Sequence, residues 1–308
     1  MTASGKTRIA AALAAARPEA ELVSVDSMAV YEGMDIGTTK PTVEERRRLR
    51  YHLVDLVDPA EEFTVSQFQA AARAAIAGIE GRGHRALLVG GTGLYLRAVV
   101  DQLELPGRWP ELSAELEREA DGPGGVQSLH GKLAALDPVG ASRMTDNNRR
   151  RVVRALEVTI GSGRPFSSFG RGLDRYPPSP LRIVGIPFDP AAVDGAIERR
   201  FDALMEAGLL DEVRRLAQRP GGMSRTARQA LGYRELLAHL EDGVPLDRSV
   251  AEAVRRTKLF ARRQWAWFRR DPRVRWLDLT ADLEAQLLDQ WDEAAADQRA
   301  GAAVGDWG

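Results

Sequence analysis

Apolar and polar positions alternate between two periods along this chain. Short runs rich in β-branched and apolar residues, "ELVSVD" (21–26), "YHLVDL" (51–56), "RALLVGG" (85–91) and "LRIVGIPF" (181–188), read as strands, each followed by a helical pattern or a loop leading to one. That alternation predicts an α/β fold with a mainly parallel sheet flanked by helices. Between Leu103 and Pro180 the pattern is helical throughout, broken by "DGPGG" (121–125), "GSGRP" (161–165) and "YPPSP" (176–180). Residues 104–180 are therefore expected to form a small helical insertion in a core made of 1–103 and 181–308. From Asp189 onward the chain reads as helix, apart from a strand at "RVRWLDL" (273–279). No repeat or low-complexity tract interrupts it.

At 308 residues, 44% apolar and 28% charged, the chain is long enough for a sizeable core. The absence of cysteine excludes disulfides, zinc ribbons and iron–sulfur sites. No run approaches the roughly 18 apolar residues of a membrane span, and the amino terminus carries no signal or lipidation pattern, so the expected location is the cytoplasm, with no membrane partner.

The net charge of −1 conceals a segregation. Residues 141–175 carry eight arginines against three acids, residues 254–275 carry nine Lys/Arg against Asp271 alone, and residues 278–297 hold seven acids and no base. Two basic patches on a neutral protein suit a local polyanion site. They equally suit solvated, arginine-rich helix faces.

The chain opens "TASGKT" and continues into the helix-forming "RIAAALAAA". In a phosphate-binding loop, backbone N–H groups converge on phosphate oxygens, the lysine adds a point charge, the Ser/Thr hydroxyl ligates Mg²⁺, and the next helix directs its positive end at the anion. Ser4, Gly5, Lys6 and Thr7 fit those roles, which are shared with nucleotide- and ATP-binding proteins. A helix that merely begins on small residues would look the same. The motif's first glycine would fall ahead of Met1, and the expectation is that a strand ending in that glycine precedes the present sequence. Asp26 ends one strand and Thr92 follows another, at the carboxyl ends where open α/β sheets place ligands. A loop cap and a tight turn are the plain alternatives.

Eight stretches, "TASGKT", "SVDSMAVYEGMDIGTTKPT", "YHLVDLVDP", "LLVGGTGLYL", "LDPVGASRMTDNNRRRVVRALEVTIGSGRP", "IERRFDALMEAGLLDEVRRL", "RQALGYRELL" and "RRQWAWFRRD", occur in the order found in the bacterial tRNA dimethylallyltransferases. Together they span nearly the whole chain, which resembles that family. The resemblance implies a P-loop NTPase-like core and a prenyltransferase activity. A dimethylallyl group passes from dimethylallyl diphosphate to the exocyclic amine of the adenosine just 3′ of the anticodon, in tRNAs reading codons that begin with U. It implies that the loop, Thr2, Ala3, Ser4, Gly5, Lys6 and Thr7, holds the diphosphate together with Arg200, that Thr7 ligates Mg²⁺, and that Asp26, Thr92 and Arg200 are catalytic. By itself, Arg200 would read as a solvated helix arginine.

The resemblance also assigns tRNA contacts to Asp26, Ser27, Met28, Ala29 and Thr92, to Arg150, Arg151 and Arg154, and to Gln229, Gly232, Tyr233 and Arg234. The partners it implies are dimethylallyl diphosphate and the tRNA anticodon stem-loop, met by a monomer whose helical insertion grips the stem-loop. Along 255–270, arginines recur at intervals of seven, which on a helix makes two adjoining stripes. Trp265, Trp267 and Phe268 there suit packing better than base stacking. The chain departs from the family pattern at Ala266, where a threonine is common, and at Gln229, where many members carry arginine. A small-molecule P-loop kinase and a tRNA-binding relative without activity are the rival readings.

Overall fold

The computed structural model describes residues 4–170, 172, 173, 175–179 and 181–304, with side-chain surroundings through residue 297. Two compact units emerge, one of residues 1–100 with 178–308 and the other of residues 101–177. No described helix is long and apolar enough to cross a membrane.

The first unit starts with helix α1 (Lys6–Ala16) and strand β1 (Ala20–Val25), followed by α2 (Val43–Arg48), β2 (Tyr51–His52), α3 (Val65–Glu80), β3 (Arg85–Gly90) and α4 (Gly93–Val100). The second unit is helical: α5 (Pro110–Ala120), α6 (Gly125–Leu136), α7 (Pro138–Ser142) and α8 (Arg149–Ser162). The chain then returns to the first unit with β4 (Ile183–Gly185), α9 (Pro190–Glu206), α10 (Leu209–Ala217), α11 (Tyr233–Asp242), α12 (Leu246–Phe268), β5 (Val274–Trp276) and α13 (Leu283–Val304).

The fold is α/β with every strand pair parallel: a sheet in the order β2–β1–β3 and a separate pair, β4–β5. β1 is central and nearly all buried, its apolar residues Ala20, Leu22, Val23 and Val25 interrupted by Glu21 and Ser24. Leu87 and Val89 of β3 and Val184 of β4 pack into one cluster with Ile9, Leu13 and Trp291, so α1 and α13 cover both sheets. On the other side, Val23, Val30, Tyr31, Phe68, Leu209, Leu216 and Tyr233 form the main core. Full burial of each such large side chain contributes about 1.5–3 kcal/mol.

Local rules set the helix starts. Thr42 with Glu45 and Thr64 with Gln67 form reciprocal capping boxes at α2 and α3, and Asp189 caps α9 ahead of a proline at its first position. The second unit closes around Leu116, Leu129, Leu133, Val152, Val153 and Leu156. Asp137 is buried there and joins α7 to the following turn. One of its oxygens accepts from the Gly140 N–H and the Ser167 hydroxyl, and the other from the Ser167 N–H.

The strand expected over 51–56 pairs only at Tyr51 and His52. Leu53 and Asp55 take φ of 62° and 54°, which turns the chain out of the ladder and delivers the Asp55 carboxylate to Lys40 and Arg46. The outer strands are likewise shorter than their apolar runs, β4 ending at Gly185 and β5 at Trp276. The helix expected around 255–270 forms, but half of the arginines in its two stripes are paired: Arg255 with Glu252, Arg256 with Glu235 and Arg262 with Asp194. Trp265 packs against Phe188 and Trp276 at centroid distances of 6.1 and 4.8 Å, a structural role.

At the amino-terminal end of β1, the side chain of Glu21 is 1% exposed and faces Arg50, His52, Arg82 and His84. Burial alone would raise its pKa, but the bonds from Arg82 and His52 outweigh that and hold the carboxyl at about 2. A depressed carboxyl stabilises the fold fully above the unfolded value of 4.5 and loses that contribution as pH falls towards 2. Glu21→Gln is expected to lower the thermal midpoint at neutral pH and to flatten its decline between pH 5 and pH 2, measured by circular dichroism melts. An unchanged acid profile would show that Glu21 is not the group responsible.

Candidate functional site

The Asp26 region is built by one pairing. β1 and β3 run parallel with Val25 beside Gly90, so the two strands end together and the chain leaves both in the same place. Gly90 is required here, because a Cβ would stand 2.0 Å from the Val25 carbonyl oxygen. Beyond the strand ends, the Asp26 carboxylate accepts the Met28 N–H at 2.9 Å, which fixes a tight turn. The Thr92 hydroxyl oxygen accepts the Ser27 N–H at 3.3 Å and ties the two strand exits together. On the far side of the Gly91 turn, buried Gln264 of α12 donates to the Gly91 carbonyl at 2.8 Å, and Trp267 packs on Gly93. The helix that carries the "RRQWAWF" stretch thus braces the loop that presents Thr92.

α1 begins beside this turn. Gly5 takes φ of 76° at its N-cap and offers no side chain to cap it, and Lys6 and Thr7 form its first turn, with Thr7 exposed. Uncapped N–H groups at a helix start favour an anion. Burial lowers the Lys6 pKa more than the nearby Asp26 charge raises it, and the positive charge of Arg200 lowers it further. Arg200, on α9, is likewise lowered chiefly by burial, against a rise from Asp26. Two partly desolvated cations that repel each other therefore share one carboxylate. This combination favours an additional negative charge. Thr2 and Ala3 lie outside the described residues.

Arg200 is aimed by its own contact, as one Nη2 donates to the Thr39 hydroxyl at 3.1 Å. Thr39 has φ of 50° and sits in the segment 31–40, which is pinned by buried charges that were not read from the sequence. Lys40 is buried; its ammonium donates to the Tyr31 carbonyl and pairs with Asp35 and Asp55. Glu212 of α10, also buried, accepts the N–H groups of Asp35, Ile36 and Gly37. The available signal was periodicity: Leu209, Glu212, Val213 and Leu216 share the buried face of α10, and an acid in that stripe needs partners.

The structure changes several of the expected RNA contacts. Tyr233 is fully buried, with its hydroxyl donating to Glu212 at 2.6 Å, so its side chain cannot meet a nucleic acid. Ala29 and Gly232 are buried too, whereas Gln229 and Arg234 are exposed and bonded to each other at 3.2 Å. In the second unit, Arg150 and Arg151 point to solvent on the first turn of α8 and form no ion pair among the described residues. Arg154 differs: its guanidinium donates to the Pro106 and Gly107 carbonyls at 3.0 and 2.9 Å and pairs with Glu157 at 2.8 Å. It staples the segment before α5 onto α8.

Comparison with known proteins identifies the family. The IPP transferase family profile matches residues 29–271. The tRNA dimethylallyltransferase of Streptomyces avermitilis is 47% identical over 287 residues, covering 92% of this chain and 89% of the relative. That of Desulforudis audaxviator is 44% identical over 278 residues, covering 90% and 89%. The crystal structure of the full-length tRNA isopentenylpyrophosphate transferase of Bacillus halodurans superposes with a TM-score of 0.70 at 35% identity, covering 98% of this chain and 96% of that one. A eukaryotic dimethylallyltransferase acting on tRNA gives a TM-score of 0.72 at 25% identity over all of this chain and 77% of the other. A phosphate-type helix start, an acid and a threonine at paired strand ends, and this similarity along nearly the full length place the chain in the IPP transferase family, among the tRNA dimethylallyltransferases.

Proposed function

We propose that this protein transfers the dimethylallyl group of dimethylallyl diphosphate to the exocyclic amine of the adenosine 3′ of the anticodon, with Asp26 as the general base. The observation that supports the assignment is the family match over residues 29–271, with Asp26 and Thr92 held together at the paired strand ends and Lys6 and Arg200 both sensing the Asp26 charge. An adenine amine is a weak nucleophile because its lone pair is conjugated with the ring. As its nitrogen bonds to the allylic carbon, it must shed a proton, and Asp26 is the acceptor. The carbon–oxygen bond breaks with its electron pair going to the diphosphate, whose growing charge is met by Lys6, Arg200 and the start of α1. The Thr92 hydroxyl, whose oxygen already holds the Ser27 N–H, keeps its own hydrogen for a substrate oxygen.

Mg²⁺ suits the residues present. The exposed Thr7 hydroxyl is a hard oxygen donor, as is the Asp26 carboxylate whose charge is felt at the neighbouring Lys6, and no group of three His, Cys, Asp or Glu among the described residues could form a complete cage. Thr7 would hold the ion, with diphosphate oxygens and water completing its shell. Its contribution when bound would be to neutralise charge on the leaving diphosphate.

For the tRNA, Arg150 and Arg151 supply exposed charge for stem phosphates, and Gln229 and Arg234 supply polar contacts from the other unit. A base must leave its stack to be modified, and a single-stranded loop lowers that cost. The ligand pair, dimethylallyl diphosphate and an anticodon stem-loop, fits a cytoplasmic enzyme acting as a monomer.

Asp26→Asn keeps an oxygen for the Met28 N–H and removes the base. It is expected to slow transfer by about 10²–10⁴-fold, with tRNA affinity unchanged, in assays with labelled donor and unmodified tRNA. Transfer within about threefold of wild type would remove Asp26 from this role. Arg150→Ala with Arg151→Ala should lower the salt slope of tRNA binding by about 0.7–0.9 per lost phosphate contact. Arg154→Ala should leave the slope alone and lower the melting temperature, since it strips partners from two carbonyls and from buried Glu157. The reverse pattern, a changed slope for Arg154 and none for the exposed pair, would overturn this division of labour.

A further inference from the structure

Glu212 has no part in the proposed transfer step, and its surroundings are unusual. Its residue is 1% exposed, and no Lys or Arg pairs with it among the described residues. All of its partners are neutral donors. One carboxylate oxygen accepts the N–H groups of Asp35 at 3.0 Å and Ile36 at 2.8 Å, and the other accepts the Gly37 N–H at 3.2 Å and the Tyr233 hydroxyl at 2.6 Å. Three consecutive N–H groups turned on one anion form a concave nest of the kind proteins use for phosphate. Here a side chain from α10 occupies it.

The geometry fixes more than local structure. Gly37 sits so close to the Tyr233 ring that a Cβ would stand 2.3 Å from it, so Glu212, Tyr233 and the 35–37 backbone interlock as one unit. Two residues further on is Thr39, whose hydroxyl receives the Arg200 guanidinium, and next to it Lys40 anchors the segment from the other side. Arg200 is one of the two desolvated cations of the site. Four donors on a buried carboxylate are worth keeping only if the segment they hold must not shift, since the removal of one partner leaves the rest unsatisfied.

We infer that Glu212 is a positioning residue for the transfer reaction: by locking Asp35–Gly37 it sets Thr39, and through Thr39 it aims Arg200 at the diphosphate. This inference rests on the transfer reading above. In Glu212→Gln, the amide –NH₂ faces N–H and O–H donors instead of accepting from them, so the nest loosens without a change in volume. Small displacements of a charged clamp cost rate more than affinity for a distant partner.

The test compares Glu212→Gln, Thr39→Val and Tyr233→Phe with wild type for kcat, for KM of each substrate, for the affinity of inorganic diphosphate and for thermal midpoint. Glu212→Gln is expected to lower kcat by about 10–100-fold, the range seen when an outer partner of a functional group is lost. It should also weaken diphosphate binding and leave the tRNA KM unchanged. Thr39→Val, at an exposed position, should reproduce the kcat loss without lowering the midpoint. Combined with Arg200→Ala, Glu212→Gln should add little, because the group it positions is already gone.

A merely structural glutamate would lower the midpoint and leave the specific activity of the folded fraction intact; that result overturns the inference, as does a kcat loss that multiplies in full onto that of Arg200→Ala. Should Glu212→Gln fail to fold, Thr39→Val and Tyr233→Phe decide, and wild-type kcat in both overturns it equally. A wild-type chain that neither transfers nor binds diphosphate overturns the transfer reading along with it, whereas normal wild-type transfer with silent variants overturns the positioning role alone.

Discussion

The parallel pairing of β1 with β3 is the constraint on which the site depends. Because Val25 and Gly90 are register partners, the residues that follow, Asp26 and Ser27 on one strand and Gly91 and Thr92 on the other, leave the sheet side by side. The Ser27–Thr92 bond is possible only in that register. A slip of one residue would also send Leu22 and Val23 each into the core that packs around the other, so the apolar side chains enforce the relative position of an acid and a hydroxyl. Stability and the placement of Asp26 beside Thr92 are thus set by the same ladder. The glycine at its end is what lets the strands approach closely enough.

Outside the ladder, Lys6 and Thr7 come from α1 and Arg200 from α9, and other helices brace the loops around them. α12 fixes the Gly91–Gly93 turn through Gln264 and Trp267, while α10 and α11 fix the 35–37 segment through Glu212 and Tyr233. Gln264 and Glu212 each join a buried polar side chain to the backbone, the kind of bond that specifies a single arrangement because every alternative leaves a donor or acceptor unpaired. An apolar side chain in place of Glu212 would pack as well but could not choose between neighbouring loop conformations.

The elements closest to the reacting groups were readable in the sequence because their signals are local. β1 and β3 follow from apolar runs bounded by polar residues, α1 from its alanines, and Asp26 and Thr92 from their places at strand ends. What escaped was long-range. The β2 run stops after two residues because Asp55 is drawn to Lys40 and Arg46, a demand that no window around 51–56 contains. Tyr233 sits in a stretch that resembles an RNA-contacting motif, yet its hydroxyl belongs to an interior carboxylate 21 residues away in sequence. Arg150, Arg151 and Arg154 are indistinguishable by type and lie on much the same side of α8, and only the Pro106 and Gly107 carbonyls and Glu157 within reach of Arg154 separate the two exposed ones from the structural one.

Charge segregation along the chain shows the same limit from the other direction. The acidic run of 278–297 looks like a solvated face, but four of its acids are spent on arginines from distant segments: Glu284 on Arg8, Asp292 on Arg17, and Glu293 and Asp297 on Arg182. Most of these pairs are exposed, so each contributes at most about 1 kcal/mol. Their collective effect is to give α13 a register along α1 and β4, whose apolar seam through Leu287 and Trp291 supplies the larger energy. In the same way, the basic stripe of α12 is paired at Arg255, Arg256 and Arg262. A cation already held by a neighbouring carboxylate has little to give a phosphate, because a new contact must first break the old one. The charges that remain for RNA are accordingly those without an internal partner, and a count of arginines along the sequence overstates them.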